Sequence, residues 1–351
     1  MAEGNNLVGV DIGSSSIKVC QLRDGRKGLE LIRLGFLPLP AKTIVDGHVM
    51  NGGAIVECLS RIFHDRKIKS RDIAMSVSGQ SVIIRKITVP MMTAAELAEQ
   101  IQWEAEQHIP FDIKDVQIDY EVLRRRPEAG QMDLLLVAAK RDEIQDYAQL
   151  ARDAKLKPQV VDIDAFTIQN VFEFSRGLPP DQTVAIINVG ASLSTLNVVA
   201  RGISAFTRDI SNGGNFITEE IRKRLGITFE QAEDYKCGRP EAGTPPHQLM
   251  SIMQGVIDSI AAEIQRSLDF FMATSGEAEI ARIFLTGGSA KIPLLAQAIE
   301  RRAHAPVEVF SPLERIGVDT ALVDPAALST LGPQLAVALG LSMRKDREKR
   351  S

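Results

Sequence analysis

Near the N-terminus the apolar positions alternate. Val8, Val10 and Ile12 fall on one side and Leu7, Gly9 and Asp11 on the other, the period of a β-strand. After Gly13, Ser14, Ser15 and Ser16 the extended pattern resumes over residues 17–21, so the spacing predicts a β-hairpin. Residues 184–199 repeat the design: an apolar strand, a turn at Gly190 and a second strand. An apolar strand at Ile283 then leads into a third glycine turn, Gly287-Gly288.

Between these landmarks the pattern alternates between the two periods. A strand is predicted at residues 29–37, closed by Pro38 and Pro40, then a helix at 54–63 with Ile55, Leu59 and Ile62 on one face, and a strand at 73–78. Residues 81–89 read as a strand and 93–108 as a helix, opened by the capping box Thr93/Glu96 and followed by Pro110. Strands at 116–123 and 132–139 flank the polar loop 124–131, and a helix at 142–154 follows. A strand at 160–163, a helix at 166–174 and a boundary at Leu178-Pro179-Pro180 complete the first half. The second half adds a strand at 203–210, helices at 217–225 and 229–235, a Pro/Gly loop at 238–246, a long helix at 249–271, a helix at 334–343 and a charged tail.

This order gives an α/β chain of two lobes. Lobe one is expected at residues 1–79 and 157–180, interrupted by an α+β module at 80–156 that includes the helix 142–154. Lobe two is expected at 181–332, with a subdivision near 215–275, and residues 333–351 return to lobe one. A chain of 351 residues is too long for one small core, and 44% hydrophobic with 25% charged residues is a globular composition. A net charge of −4 carries no nucleic-acid footprint. The basic runs 124–126 and 344–350 read as a solvated loop and a solvated tail, the latter able to graze an anionic membrane. Cys20, Cys58 and Cys237 lack metal spacing; two of the three lie in apolar patterns and read as small buried hydrophobes, which suits the cytoplasm. The polar start MAEGNN predicts no signal peptide. The uncharged run 183–200 is interrupted by Asn188, Gly190, Ser192, Ser194, Thr195 and Asn197, which argues against a membrane span.

The turns carry the candidate chemistry. Gly13, Ser14, Ser15 and Ser16 offer backbone N–H groups and hydroxyls without bulk, suited to a concave nest for phosphate oxygens. Asp11, just before it, places a carboxylate that can hold Mg²⁺ directly or through water. Gly190, Ser192, Ser194 and Thr195 form the second such turn, and Gly213-Gly214 opens a helix whose N-terminus can face an anion. Gly287 and Gly288, followed by Ser289, let the backbone approach a ligand closely. Glu233 and Lys236 are spaced i, i+3 and by themselves read as a surface ion pair. Trp103 is most simply a core residue of its helix, or else lies at the module's contact with lobe one. His108 reads as surface or helix-end.

Two phosphate hairpins in two halves, followed by a Gly-Gly turn, resemble the actin/Hsp70/sugar-kinase superfamily. The segment Ile101-Gln102-Trp103-Glu104-Ala105-Glu106-Gln107-His108-Ile109-Pro110-Phe111 resembles the signature of the PilM family of type IV pilus machines. GVDIGSSSIKV at 9–19, Val89-Pro90, SLDFF at 267–271 and GPQLAVALGL at 332–341 agree, so the resemblance runs in order from about Leu7 to Met343. It implies an actin-like (ribonuclease H-like) two-lobe fold with an SHS2-type insertion. It implies ATP with Mg²⁺ gripped between the hairpins, with the Gly-Gly turn near the nucleoside. The partner it implies is the short cytoplasmic tail of a PilN-like inner-membrane protein, held between the module and lobe one. Through that tail such a protein stays cytoplasmic, meets the membrane only indirectly and links to pilus motor or platform proteins; self-association stays open.

On the same resemblance, Lys18 stands where related proteins often put a phosphate-facing lysine, and a solvent-facing edge position is equally open. Asn188 stands where many actin-like proteins have Asp; with no charge it binds Mg²⁺ or orients water less strongly, so slow hydrolysis is expected. Ala232-Glu233-Asp234-Tyr235-Lys236 resembles the segment that contacts ribose and base. Asp162 falls where the superfamily often places a catalytic carboxylate, beside the reading of a structural Asp before a helix; Asp11 and Asp162 are the catalytic candidates. Competing readings are a sugar kinase, which needs a base aspartate in lobe one, an FtsA-like division protein, which should end in an amphipathic helix, and a GspL-like protein, which needs a span. A scaffold with an inert cleft is the remaining alternative.

Overall fold

The computed structural model describes residues 4–25, 28–239, 243–276 and 279–347; residues 240–242 of the Pro/Gly loop and 348–351 of the tail lie outside it. In chain order the strands and helices of the first half are β1 (Val8–Ile12), β2 (Ser16–Gly25), β3 (Gly28–Pro38), β4 (Ile44–Val45), β5 (His48–Val49), α1 (Gly52–Asp65), β6 (Asp72–Val77), β7 (Val82–Pro90), α2 (Ala94–Glu106), β8 (Val116–Arg126), β9 (Gln131–Lys140), α3 (Arg141–Asp153), β10 (Lys157–Ile163) and α4 (Asp164–Arg176). Those of the second half are β11 (Thr183–Val189), β12 (Ser194–Ala200), β13 (Ile203–Ile210), α5 (Gly214–Leu225), α6 (Phe229–Cys237), α7 (Leu249–Ser275), β14 (Arg282–Thr286), α8 (Leu295–Ala303), β15 (Val307–Val309), β16 (Gly317–Val318), α9 (Pro325–Leu331) and α10 (Ala336–Ser342).

The two lobes share one sheet plan. Lobe one is ordered β10-β6-β1-β2-β3-β16 and lobe two β13-β12-β11-β14-β15. In each, an antiparallel hairpin (β1–β2, β11–β12) supplies the sheet's centre, and a parallel neighbour (β6, β14) lies on its other side. This is the actin-like two-lobe fold. The uncharged run 183–200 is the β11–β12 hairpin, and no helix among the described residues is long and apolar enough to cross a membrane.

The module is a separate three-stranded sheet, β7-β9-β8, with one face covered by α2. Leu97, Ile101 and Ala105 of α2 meet Ile87, Leu134, Leu136 and Ala138 of the sheet, and the Thr93/Glu96 capping box closes the helix start. Helix α3, grouped with the module by sequence, packs elsewhere. Its Tyr147 and Ala151 join Ile55 and Leu59 of α1 in the core of lobe one. Trp103 is a correction: its side of α2 faces away from the sheet, it is 63% exposed, and Leu97, Ile101 and Ala105 fill the core instead. The cysteines also differ from expectation: only Cys20 is fully buried, Cys58 is half-buried beside the Pro38 carbonyl, and Cys237 is exposed at a helix end. The start of the tail is docked rather than solvated, with Lys345 paired to Asp24 at 2.7 Å and Asp346 accepting from the Asn5 N–H at 3.0 Å.

The C-terminal α10 closes lobe one by lying between β1 and α4. The approach is backbone to backbone: a Cβ at Gly9 would stand 2.0 Å from the Ala338 carbonyl oxygen, and one at Gly340 would stand 2.0 Å from the Thr167 carbonyl oxygen. Because both near atoms are backbone, neither can swing aside. Gly340→Ala is therefore expected to destabilise the protein by about 3 kcal/mol, read as a lowered denaturation midpoint at unchanged slope.

Candidate functional site

The first hairpin turns at Gly13, whose N–H donates to the Ser16 carbonyl at 3.1 Å. Asp11 and Lys18 face each other across the strand pair, and the ammonium sits 3.1 Å from the carboxylate. Lys18 is thus directed to the turn and not to solvent. In the second hairpin the Gly190 N–H donates to the Leu193 carbonyl at 3.0 Å. The two tips meet: the Ser192 hydroxyl donates to the Ser14 hydroxyl at 2.8 Å, joining lobe two to lobe one. Ser15 and Ser16 complete the first turn, with the Ser15 carbonyl accepting from the Leu39 N–H at 2.9 Å.

Behind the second hairpin, three pieces of backbone interlock. The Gly214 N–H donates to the Gly190 carbonyl at 2.9 Å and the Ser194 hydroxyl to the Asn212 carbonyl at 2.6 Å. Side chains are excluded here. A Cβ at Gly213 would lie 2.6 Å from the Ala191 carbonyl oxygen, and one at Gly287, whose φ is +96°, would lie 2.4 Å from Asn188 Oδ1. The Ser289 hydroxyl donates to the Gly190 carbonyl at 3.0 Å. Lys236 is buried beneath this cradle, donating to the Gly214 carbonyl at 3.3 Å and paired to Glu233 at 2.6 Å. The pair is therefore not a surface one, and it holds Glu233 as a carboxylate below its usual range against the opposing pull of burial. Gly190, Gly213, Gly214, Gly287, Ser289, Glu233 and Lys236 lie in one region of lobe two, and Gly288 adjoins it beside Gln334.

The carboxylates near the two hairpins differ in what holds them. Asp162 is committed elsewhere: Oδ2 accepts from Arg344 at 2.7 Å and Oδ1 from the Ile163 N–H at 2.7 Å, so it fastens the C-terminal tail to β10. The residue two places on, Asp164 at the start of α4, accepts from the Ser76 hydroxyl at 2.5 Å and feels the charge of Asp11. Burial first, and then the charge of Asp11, push its carboxyl up to about 7, while the Ser76 and Ser78 hydroxyls pull it part of the way back. Asp209, at the end of β13, is raised by burial, against the Gly79 N–H, which donates to it at 2.6 Å, and the nearby Thr195 hydroxyl. Neither Asp209 Oδ1 nor Thr195 Oγ1, both buried, completes a hydrogen bond within the protein. Asp164 and Asp209 carried no motif of their own in the sequence. The available signal was place: one opens a helix after a sheet strand, the other precedes the Ser211-Asn212-Gly213-Gly214 turn.

The donors fit a phosphate chain with a divalent cation. Narrow glycine turns present N–H groups, buried acceptors lack partners, and the raised carboxylates want positive charge nearby. No group of three or more His, Cys, Asp or Glu among the described residues is arranged to hold a metal alone, so phosphate oxygens and water would supply most ligands.

A second feature adjoins the cleft. A cavity of about 580 Å³ opens between the module, lobe one and the second hairpin. Val82, Ile84 and Phe111 line it from the module, and His48, Val49 and Tyr147 from lobe one. Leu193, Thr195 and Asp209 line its lobe-two end, so groove and cleft share a wall. β7 is an edge strand of its sheet, paired only on the β9 side.

The family model described as "Type IV pilus assembly protein PilM" matches residues 9–346. The chain belongs to the PilM family. A solved structure named "PilM-PilN type IV pilus biogenesis complex" is similar over 99% of this chain and 100% of that one, with TM-score 0.87 and 26% identity. The ethanolamine utilization protein EutJ from Carboxydothermus hydrogenoformans (12% identity, 96% and 89% covered, TM-score 0.57) shares the fold, as does MreB5 of Spiroplasma citri bound to ADP (13%, 96% and 94%, TM-score 0.51). The cell division protein FtsA of Neisseria meningitidis serogroup B is 21% identical, aligned over 92% of this chain and 88% of its own length. The family, and with it the role in type IV pilus assembly, matches the reading of the 101–111 segment.

The raised Asp164 carboxyl gives a pH prediction. Its folded value lies above its unfolded one, so the folded state binds more protons between about pH 4 and 7, and the associated stability fades as pH rises through that window. Asp164→Asn should gain on the wild type, by roughly 1–2 kcal/mol between pH 5 and 8, in nucleotide-free denaturant titrations. A constant difference across that range contradicts the burial of this charge.

Proposed function

We propose that the chain is an ATP-binding scaffold of type IV pilus assembly that holds the cytoplasmic tail of a PilN-like membrane protein. The observation that carries the reading is the shared wall: the second hairpin lines both the nucleotide cleft and the groove beside the β7 edge. ATP with Mg²⁺ is assigned to the turns at Gly13, Ser14, Ser15 and Ser16 and at Gly190, Ser192, Ser194 and Thr195, with Gly287, Gly288, Ser289, Glu233 and Lys236 toward the nucleoside. The cation brings charge neutralisation for the phosphates. Asp11 is the carboxylate nearest the first turn, and Lys18, now on Asp11, is placed to turn to phosphate. Asn188, uncharged, lies at the Gly287 turn. We assign to Asp164, held by the Ser76 hydroxyl and close enough to Asp11 to feel its charge, the taking of a proton from water; Asp162 is tied to Arg344 instead.

The groove suits an extended tail. An edge strand offers unpaired main-chain groups, and Val82, Ile84 and Phe111 offer apolar pockets for alternate side chains. Ordering such a tail costs free energy, so modest affinity is expected, reinforced by confinement of the partner to the membrane. The tail in turn brings the chain to the inner membrane from the cytoplasm. The solved complex of PilM with PilN supports the identity of the partner.

Calorimetry is expected to show Mg²⁺-dependent ATP binding, weakened about tenfold or more by Asp11→Ala, a change of at least about 1.4 kcal/mol. Absence of ATP binding by the folded wild type overturns the cleft reading. Turnover should be slow, and Asn188→Asp should raise it if the missing charge is what limits metal or water placement; an unchanged rate moves the limit to Asp164. For the groove, Ile84→Glu should abolish binding of a PilN tail peptide in fluorescence anisotropy while leaving ATP binding intact.

A further inference from the structure

The chain leaves lobe one for the module at Gly79, between the end of β6 at Val77 and the start of β7 at Val82. Gly79 takes a φ of +90°, and its N–H donates to Asp209 Oδ2 at 2.6 Å. A Cβ there would meet Leu193 of the second hairpin at 3.7 Å. The root of the module is thus tied by one side chain to lobe two, at the wall that the groove and the cleft share. On the lobe-one side the root rests on an apolar joint, where Val77, Ile163 and Ala165 meet Ala139, Val82 and Ile84.

Asp209 has reason to leave Gly79. The residue is half-buried, its buried second oxygen completes no hydrogen bond, and the Thr195 hydroxyl beside it lowers its carboxyl without reaching full hydrogen-bond geometry. Asp11 and, more weakly, Asp209 act electrostatically on Asp164, and the Lys18 ammonium is already paired with Asp11 at 3.1 Å. A buried anion next to other anions gains more from an arriving cation than from one neutral N–H.

We propose that Asp209 is the positioning residue that joins nucleotide occupancy of the cleft to the partner groove. With the cleft free of Mg²⁺-ATP it holds the Gly79 N–H and pins the root of β7 against lobe two. With the cleft loaded it turns toward the cation and lets go of Gly79. β7 then keeps its pairing with β9 and the apolar joint, and its root can shift to admit an extended chain along its edge. The two sites influence each other only as far as this exchange differs between the loaded and the free cleft, and the influence is reciprocal. The proposal rests on the cleft and groove assigned above.

The test measures a fluorescein-labelled peptide of the cytoplasmic N-terminal segment of the cognate PilN, by anisotropy, on the full chain with and without Mg²⁺-ATP. The wild type should bind the peptide at least about threefold tighter when loaded. Asp209→Ala, which frees Gly79 permanently, should bind as tightly without nucleotide as the loaded wild type, and ATP should add nothing. Asp209→Asn keeps an oxygen for Gly79 but no charge for the cation, so it should stay in the weaker state throughout. Hydrogen exchange in residues 76–82 of the wild type should speed up on loading, a readout that needs no variant. A wild type that binds both ligands with the same peptide affinity in either state overturns the proposal. So does a nucleotide-free Asp209→Ala no tighter than wild type, or exchange at 76–82 that ignores ATP. A wild type that binds no peptide at all removes the groove assignment itself, a distinct result.

Discussion

Lobe one is closed by a helix that has almost no room. α10 lies against β1 and α4 at points where only hydrogen fits on the α-carbon, Gly9 under Ala338 and Gly340 under Thr167. Around that contact one apolar cluster runs through both lobes: Cys20 and Leu31 from the first sheet, Phe172 from α4, Val184 and Phe284 from the second sheet, and Leu335 to Leu341 from the C-terminus. Phe172 meets Phe284 tilted and Phe310 edge-on, at 4.7 and 5.0 Å between ring centres. The hairpins face each other because their strands are anchored in this common core, and their tips meet at the far end through Ser14 and Ser192. A close-packed interior resists continuous deformation, whereas the tip contact and the Gly79 contact are each made by one hydrogen bond.

Much of this was legible in the residues. The two hairpins, the Gly-Gly turn and the Thr93/Glu96 cap are local events: turn residues and period-two alternation fix them within a few positions. The family resemblance also rested on contiguous stretches. What stayed hidden depends on long-range packing. Helix α3 has an apolar stripe that would serve the module or lobe one equally, and only the third dimension sends Tyr147 to Ile55. Trp103 has the composition of a core residue, but its position on α2 points it to water, because Leu97, Ile101 and Ala105 already fill the face toward the sheet.

The carboxylates show the same limit. Asp162 and Asp164 are two residues apart at a strand-to-helix junction, and sequence offers no means to tell which one feels the charge of Asp11. The answer is set by Arg344, 182 residues away, which takes Asp162 to the rear. Asp209 is further hidden, since its partner is a backbone N–H at the root of an inserted module. That contact gives the insertion a physical meaning: the groove and the cleft between the lobes are built on the same hairpin.

The most direct measurement is a crystal structure of the chain with a non-hydrolysable ATP analogue, Mg²⁺ and the PilN tail peptide. The account predicts phosphates between the turns at Gly13 and Gly190, with the Ser14–Ser192 hydrogen bond broken, the nucleoside against Gly288 and Lys236, and the peptide alongside β7. Nucleotide bound outside these turns, or a tail seated away from the β7 edge, would contradict it.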